Sequence, residues 1–146
     1  CQHIMKLLIT IALLVAVASA TPVLRMFPES GLHMARNFGG MENASGLELY
    51  AESGCAGDAF KSLKFSDAGQ DCDVDSIEIH AQGQTYNFGA EDVVTPAGSS
   101  FNWELFQAGE CSGAAADIKA PVTTQCLRFN FEMKIHGTTI NSARMV

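Results

Sequence analysis

Residues 127–136 read LRFNFEMKIH, so that Leu127, Phe129, Phe131, Met133 and Ile135 alternate with Arg128, Asn130, Glu132, Lys134 and His136. Period-two alternation marks a strand with one dry and one wet face. The pattern recurs upstream: Phe101, Trp103 and Leu105 flank Asn102 and Glu104; Ile77 and Ile79 flank Glu78; Leu47 and Leu49 flank Glu48. Leu63 and Phe65 share one side of a further short strand, and Gly, Asp and Ser fill the gaps. Few stretches carry a convincing helical period, although Ala114 to Asp117 suits a short turn. The chain is expected to be all-β.

The strands belong to one unit written twice. Glu48-Leu49-Tyr50, followed by Cys55, Gly57 and Ala59, returns as Glu104-Leu105-Phe106 followed by Cys111, Gly113 and Ala115. After a two-residue deletion Cys72 falls on Cys126, Ile79 on Met133, and Gly83 and Thr85 on Gly137 and Thr139. The expected architecture is two pseudo-symmetric halves, 46–100 and 101–146, packed as one β-sandwich within a single domain over 44–146. Gln84 to Phe88 supplies an extra strand. Four cysteines allow three pairings. The repeat favours one local bridge per half, Cys55–Cys72 and Cys111–Cys126, with cross-unit pairing as the alternative.

Tyr50 to Gly57 resembles the Greek-key signature of βγ-crystallins, an aromatic, a second aromatic position and a Gly, and Phe106 to Gly113 repeats it. Asp75 to Ile79 is similar to that family's later Ser-Ile strand. The resemblance implies Greek-key halves in which Gly57 folds a hairpin under Tyr50, and Gly113 one under Phe106. Cysteine stands at the second aromatic position in both halves, and Asn130 stands where the second Ser is expected. Two local disulfides in tandem halves also resemble cyanovirin-like lectins, whose Leu-Asn and Asp-Gly elements are missing. The overall layout is similar to that of fungal small secreted proteins and effector candidates.

That layout begins at the N-terminus. Lys6 precedes an apolar run from Leu7 to Val17 that ends in Ala18-Ser19-Ala20, which reads as a secretory signal peptide over 1–20. Cys1 to Ile4, ahead of the Met, read as a remnant of the gene boundary or of cloning. Cleavage after Ala20 would remove Cys1 and leave an even four cysteines, as an oxidising compartment favours. Residues 21–43 read as a linker or a loosely docked N-terminal segment, and Asn43 opens the one glycosylation sequon. The expectation is a secreted, extracellular monomer without a membrane span.

Nine basic against sixteen acidic side chains, a formal charge of -7, argue against a nucleic-acid partner. For metal, Asp71, Asp73 and Asp75 alternate as an EF-hand loop begins, but Ser76 and Gln82 replace its Gly and Glu. Ser76 also fits the calcium motif of the crystallin resemblance. Calcium is therefore the one cofactor to consider, against a solvated acidic turn with all three aspartates on one wet face. For catalysis, His33, His80 and His136 do not correspond in the repeat, and no nucleophile elbow or HExxH is present. Glu78 and Glu132 form a paper pair for glycoside hydrolysis, more simply read as outward residues of equivalent strands. Tyr50 and Phe106 are the aromatic candidates for a binding face.

The functional expectation is a non-enzymatic, effector-type binding protein. It would recognise an extracellular protein or cell-surface glycan through loops such as Ala90 to Ser100. A structural or calcium-binding crystallin-like protein and a small secreted glycan hydrolase are the alternatives.

Overall fold

The computed structural model describes residues 23–29, 44–112 and 115–146. The segment expected to be a signal peptide, His33, Asn43 and Gly113 lie outside the described residues. Eleven strands follow in order: β1 (Leu24–Pro28), β2 (Gly46–Tyr50), β3 (Lys61–Ser66), β4 (Asp73–Ala81), β5 (Gln84–Val94) and β6 (Ser100–Phe106). They continue as β7 (Ala116–Pro121), β8 (Leu127–Phe129), β9 (Glu132–Ile135), β10 (Thr138–Ile140) and β11 (Ser142–Met145). No α-helix occurs among the described residues, and therefore none long and apolar enough to cross a membrane.

The expected sandwich is instead a closed barrel. Its eight strands run β5-β3-β2-β11-β8-β1-β7-β6, and pairing of β6 with β5 shuts the ring. β5 is the reason. It is long enough to pair with β4 along its first part, with β6 at Ala90–Val93, and in parallel with β3 at Val93–Val94. β4, β9 and β10 extend the sheet beyond the ring.

The strand pairings follow the repeat. β2–β3 and β6–β7 are equivalent antiparallel pairs, and β2–β11 is equivalent to β6–β5. Ile79 pairs with its own repeat mate, Met133, where β4 meets β9. Two hairpins use the same two-residue turn: Gln82-Gly83 at φ 54° and 74°, and His136-Gly137 at φ 48° and 81°. Two successive positive φ values define a turn whose twist suits a tight hairpin.

The disulfides contradict the expected local pairing. Cys55 is bonded to Cys126 and Cys72 to Cys111. Exchange of the two halves carries Cys55–Cys126 onto Cys111–Cys72, so crossed bridges satisfy the repeat as well as local ones would. The physical reason is the crossed strand pairing: β2 lies against β11 of the other half, not against β4.

Three local readings also change. The alternation over 127–136 is broken into β8 and β9, because Asn130 turns its side chain to β1. Its Oδ1 accepts from Arg25 N at 3.0 Å and its Nδ2 donates to the Val23 carbonyl at 3.3 Å. Leu24–Pro28, inside the segment read as a linker or loosely docked strand, is a barrel stave with Leu24 and Met26 buried. Ala116 and Asp117, read as part of a turn, open β7. The core joins Leu24, Met26, Leu47, Leu49, Trp103 and Leu105 with Ile118, Leu127 and Ala143. Gly46 is required where β2 pairs with β3, since a Cβ there would clash with the Leu63 carbonyl oxygen.

Candidate functional site

Two features stand out from an otherwise ordinary barrel, one inside it and one on its surface. The interior feature is a charged cluster. Lys61 on β3, Asp75 on β4 and Glu91 on β5 converge beneath Trp103, with Asp75 and Glu91 at 4% and 0% exposure. Lys61 Nζ donates to Asp75 Oδ2 and lies 3.7 Å from Glu91 Oε2, while Trp103 Nε1 donates to Glu91 Oε1 at 3.1 Å. His136, bent back by its hairpin turn, sets Nε2 2.5 Å from Asp75 Oδ1 at the barrel surface.

With both acids ionised, the buried Glu91 Oε2 has no hydrogen-bond donor, and the buried Asp75 Oδ1 has only its ion-pair contact with His136 Nε2. A single proton resolves this, turning two facing carboxylates into a hydrogen bond between the groups. Burial first, then that bond with Asp75, pushes Glu91 up to about 9. Burial also works against ionised Asp75. The hydrogen bonds from Glu91 and Lys61, with the charges of Lys61 and His136, outweigh it and hold Asp75 below its ordinary value. Lys61 is penalised by burial, yet its bond to Asp75 and the surrounding acids leave it raised. Near neutral pH the cluster therefore holds Lys61 charged, Asp75 ionised and Glu91 neutral.

The equivalent positions of the other half carry no charge. Leu49 pairs with Lys61 and Ala143, whereas its mate Leu105 pairs with Ala116 and Glu91. Lys61 thus occupies the position of Ala116, and Glu91 that of Ala143. Asp75 corresponds to Phe129 by the 54-residue shift. Sequence reading took Asp75 for a wet residue beside Asp71 and Asp73; a bulge between Val74 and Ile77 turns it inward instead. Of these counterparts only Phe129 lies at the sequence offset; Ala116 and Ala143 emerge only from strand register, so the sequence offered a single signal, Asp75 against Phe129.

A pH dependence follows. Between Glu91's ordinary 4.5 and about 9, the folded protein holds a proton that the unfolded chain has released. Rising pH then favours unfolding, by up to ~1.4 kcal/mol per pH unit. Asp75 acts in the opposite sense, and its contribution is lost as pH falls through and below 3.8. Glu91→Gln keeps an acceptor for Trp103 and a donor for Asp75. Thermal melts of Glu91→Gln are expected to match the wild type near pH 5 and exceed it at pH 8; parallel curves would refute the assignment.

The surface feature surrounds β1. Leu24 and Arg25 pair with Ile118 and Lys119 of β7, but Met26 to Pro28 pair with β8. This change of partner splits β1 from β7 and opens a groove of about 400 Å³, lined by Arg25, Phe27, Pro28, Ser99, Lys119 and Pro121 among others. Arg25 and Lys119 are both exposed and directly paired in register. Phe27 is exposed, and the Arg128 guanidinium lies 5.9 Å from its ring centre. Among the described residues neither Arg25 nor Lys119 has an ion-pair partner.

The other expected site residues lie elsewhere. Tyr50 and Phe106 are buried, so neither offers an exposed aromatic face, and Tyr50 Oη donates to Glu48 Oε2 at 2.6 Å. Asp71 and Ser76 are exposed and Asp73 is half-buried. No group of three His, Cys, Asp or Glu side chains able to hold a metal occurs among the described residues. Glu78 pairs with His80 Nε2 at 3.0 Å, and Glu132 and Lys134 face His80 and Glu78 across β4–β9, an outward mixed-charge surface. Ala90 to Val94 is strand, so the expected contact loop shrinks to Thr95–Ser99. No protein-family model, curated protein or solved structure matches this chain.

Proposed function

We propose that this is a secreted, non-enzymatic recognition protein of the effector type, which docks an extracellular partner, a host protein or cell-surface glycan, through the face around β1. The observation that carries this reading is the exposed set Arg25, Lys119, Arg128 and Phe27 on a chain of formal charge -7. Cations gathered beside an aromatic and a groove, without internal ion partners, suit recognition more than solubility. Backbone pairing of β1 with β7 and β8 in a closed barrel orders that face before binding, which lowers the entropy cost. The buried cluster offers no comparable access, since Asp75 and Glu91 are sealed from solvent.

The test is retention of the purified protein on intact host cell surfaces or walls. Wild type should sediment with them and release no soluble sugar or peptide. Arg25→Glu with Phe27→Ala should lower retention about tenfold, roughly 1.4 kcal/mol, at unchanged thermal stability. Equal retention of both forms would remove the β1 face, and release of cleaved product would remove the non-enzymatic reading.

A further inference from the structure

We infer that the groove beside β1 binds a carboxylate-bearing polysaccharide, a chain of uronate-type residues, resting on the reading of this face as the docking surface. The first argument is electrostatic. Like charges directly opposite across two strands destabilise a sheet, yet Arg25 and Lys119 are register partners. Arg128 stands on the far side of β1, opposite Phe27. The three cations thus form a row across β7, β1 and β8. Adjacent strands are about 4.8 Å apart, and diagonal neighbours about 7–8 Å. A ligand with anionic groups at intervals relieves this repulsion; a lone anion would serve one end of it.

The second argument is geometric. The row borders the wedge where β1 leaves β7, so a linear ligand can lie along the groove with its charged edge on the cations. Ser99 and Ser100 line the same groove and offer hydroxyls to a sugar. Phe27, exposed between the groove and Arg128, offers a ring face to the apolar side of a pyranose. Arg25 supplies the planar fork that matches a carboxylate with two parallel hydrogen bonds.

Rival polyanions fit less well. An extended acidic peptide would recognise the split by adding a strand, but Pro28 and Pro121 flank it and have no backbone N–H to donate. Nucleic acid carries a charge every ~1.7 Å of duplex and would meet strong repulsion from the rest of a chain of charge -7. A uronate chain presents fewer charges per unit length, so three cations can match it locally.

Calorimetric titration of the full secreted protein with de-esterified polygalacturonate fragments tests this. Saturable binding is expected, weakened at least about tenfold by Arg25→Gln with Lys119→Gln and abolished when the same fragments are methyl-esterified. Three outcomes would overturn it: no binding, equal binding of the neutral esterified fragments, or preference for poly-glutamate, dextran sulfate or an oligonucleotide. Loss of poly-glutamate binding in the Arg25/Lys119 variant would sink the sugar assignment but keep the β1 face as the docking surface. Variants at Arg25, Phe27 and Lys119 that bind every ligand like wild type would sink both readings.

Discussion

Lys61→Met should unfold about 3–5 kcal/mol more readily than wild type in urea at neutral pH. Lys61 is the main positive charge facing Asp75, whose side chain is sealed from water. Removing it leaves a buried carboxylate with His136 at its edge and neutral Glu91 as its donor. Such a group must either remain uncompensated or take up a proton, and both routes cost stability. The triple change Lys61→Met, Asp75→Leu and Glu91→Met has the opposite expectation. It restores the apolar character that the second half has at Ala116, Phe129 and Ala143, and should be neutral or stabilising by roughly 1–4 kcal/mol. A single variant as stable as wild type would show that the cluster is not ionised as assigned. A triple variant that falls as far as the single would show that the charges are required by the barrel itself.

The disulfides give the second large effect. Cys72→Ala with Cys111→Ala should cost about 4 kcal/mol by the chain-entropy argument, because the bridge closes a separation of 39 residues. The bridge between Cys55 and Cys126, at a separation of 71, should cost a similar amount when removed as a pair. Each of these double variants leaves the other bridge intact and should contain no free thiol among residues 21–146. Local pairing makes the reverse assertion: Cys55→Ala with Cys72→Ala would then be the thiol-free variant. Thiol titration with a non-reducing peptide map separates the two, and detection of Cys55–Cys72 would refute the crossed scaffold.

Much of this was legible in the sequence, in a way that explains what was not. Alternating apolar residues identified the strands of β2, β3, β4 and β6, since burial of one face leaves a direct imprint. The duplication was legible too, from cysteines and glycines at constant offsets. Pairing between the halves was not, because local and crossed bridges are equally symmetric under exchange. Leu24 and Met26 alternate with Arg25 and Phe27, but five residues between prolines and glycines make a weak pattern. Lys61, Asp75 and Glu91 were hidden for another reason. Charged residues are read as wet by default, and only a neighbour from a distant strand makes them affordable inside. The cationic row has the same origin, since Arg25, Lys119 and Arg128 are far apart in the chain and meet through barrel closure.

The two bridges are nested, Cys72–Cys111 inside Cys55–Cys126. A single peptide-bond cut anywhere between Cys55 and Cys126 therefore leaves one covalent molecule, and between Cys72 and Cys111 two bridges hold the pieces. The Thr95–Ser99 loop at the edge of the groove lies in that doubly tethered stretch. β1 does not. A cut between β1 and Cys55 would free the strand that carries Arg25 and Phe27 while the stapled remainder stays joined. In a protease-rich surrounding, the covalent frame protects the scaffold and leaves β1, with its share of the proposed docking face, as the part most easily severed.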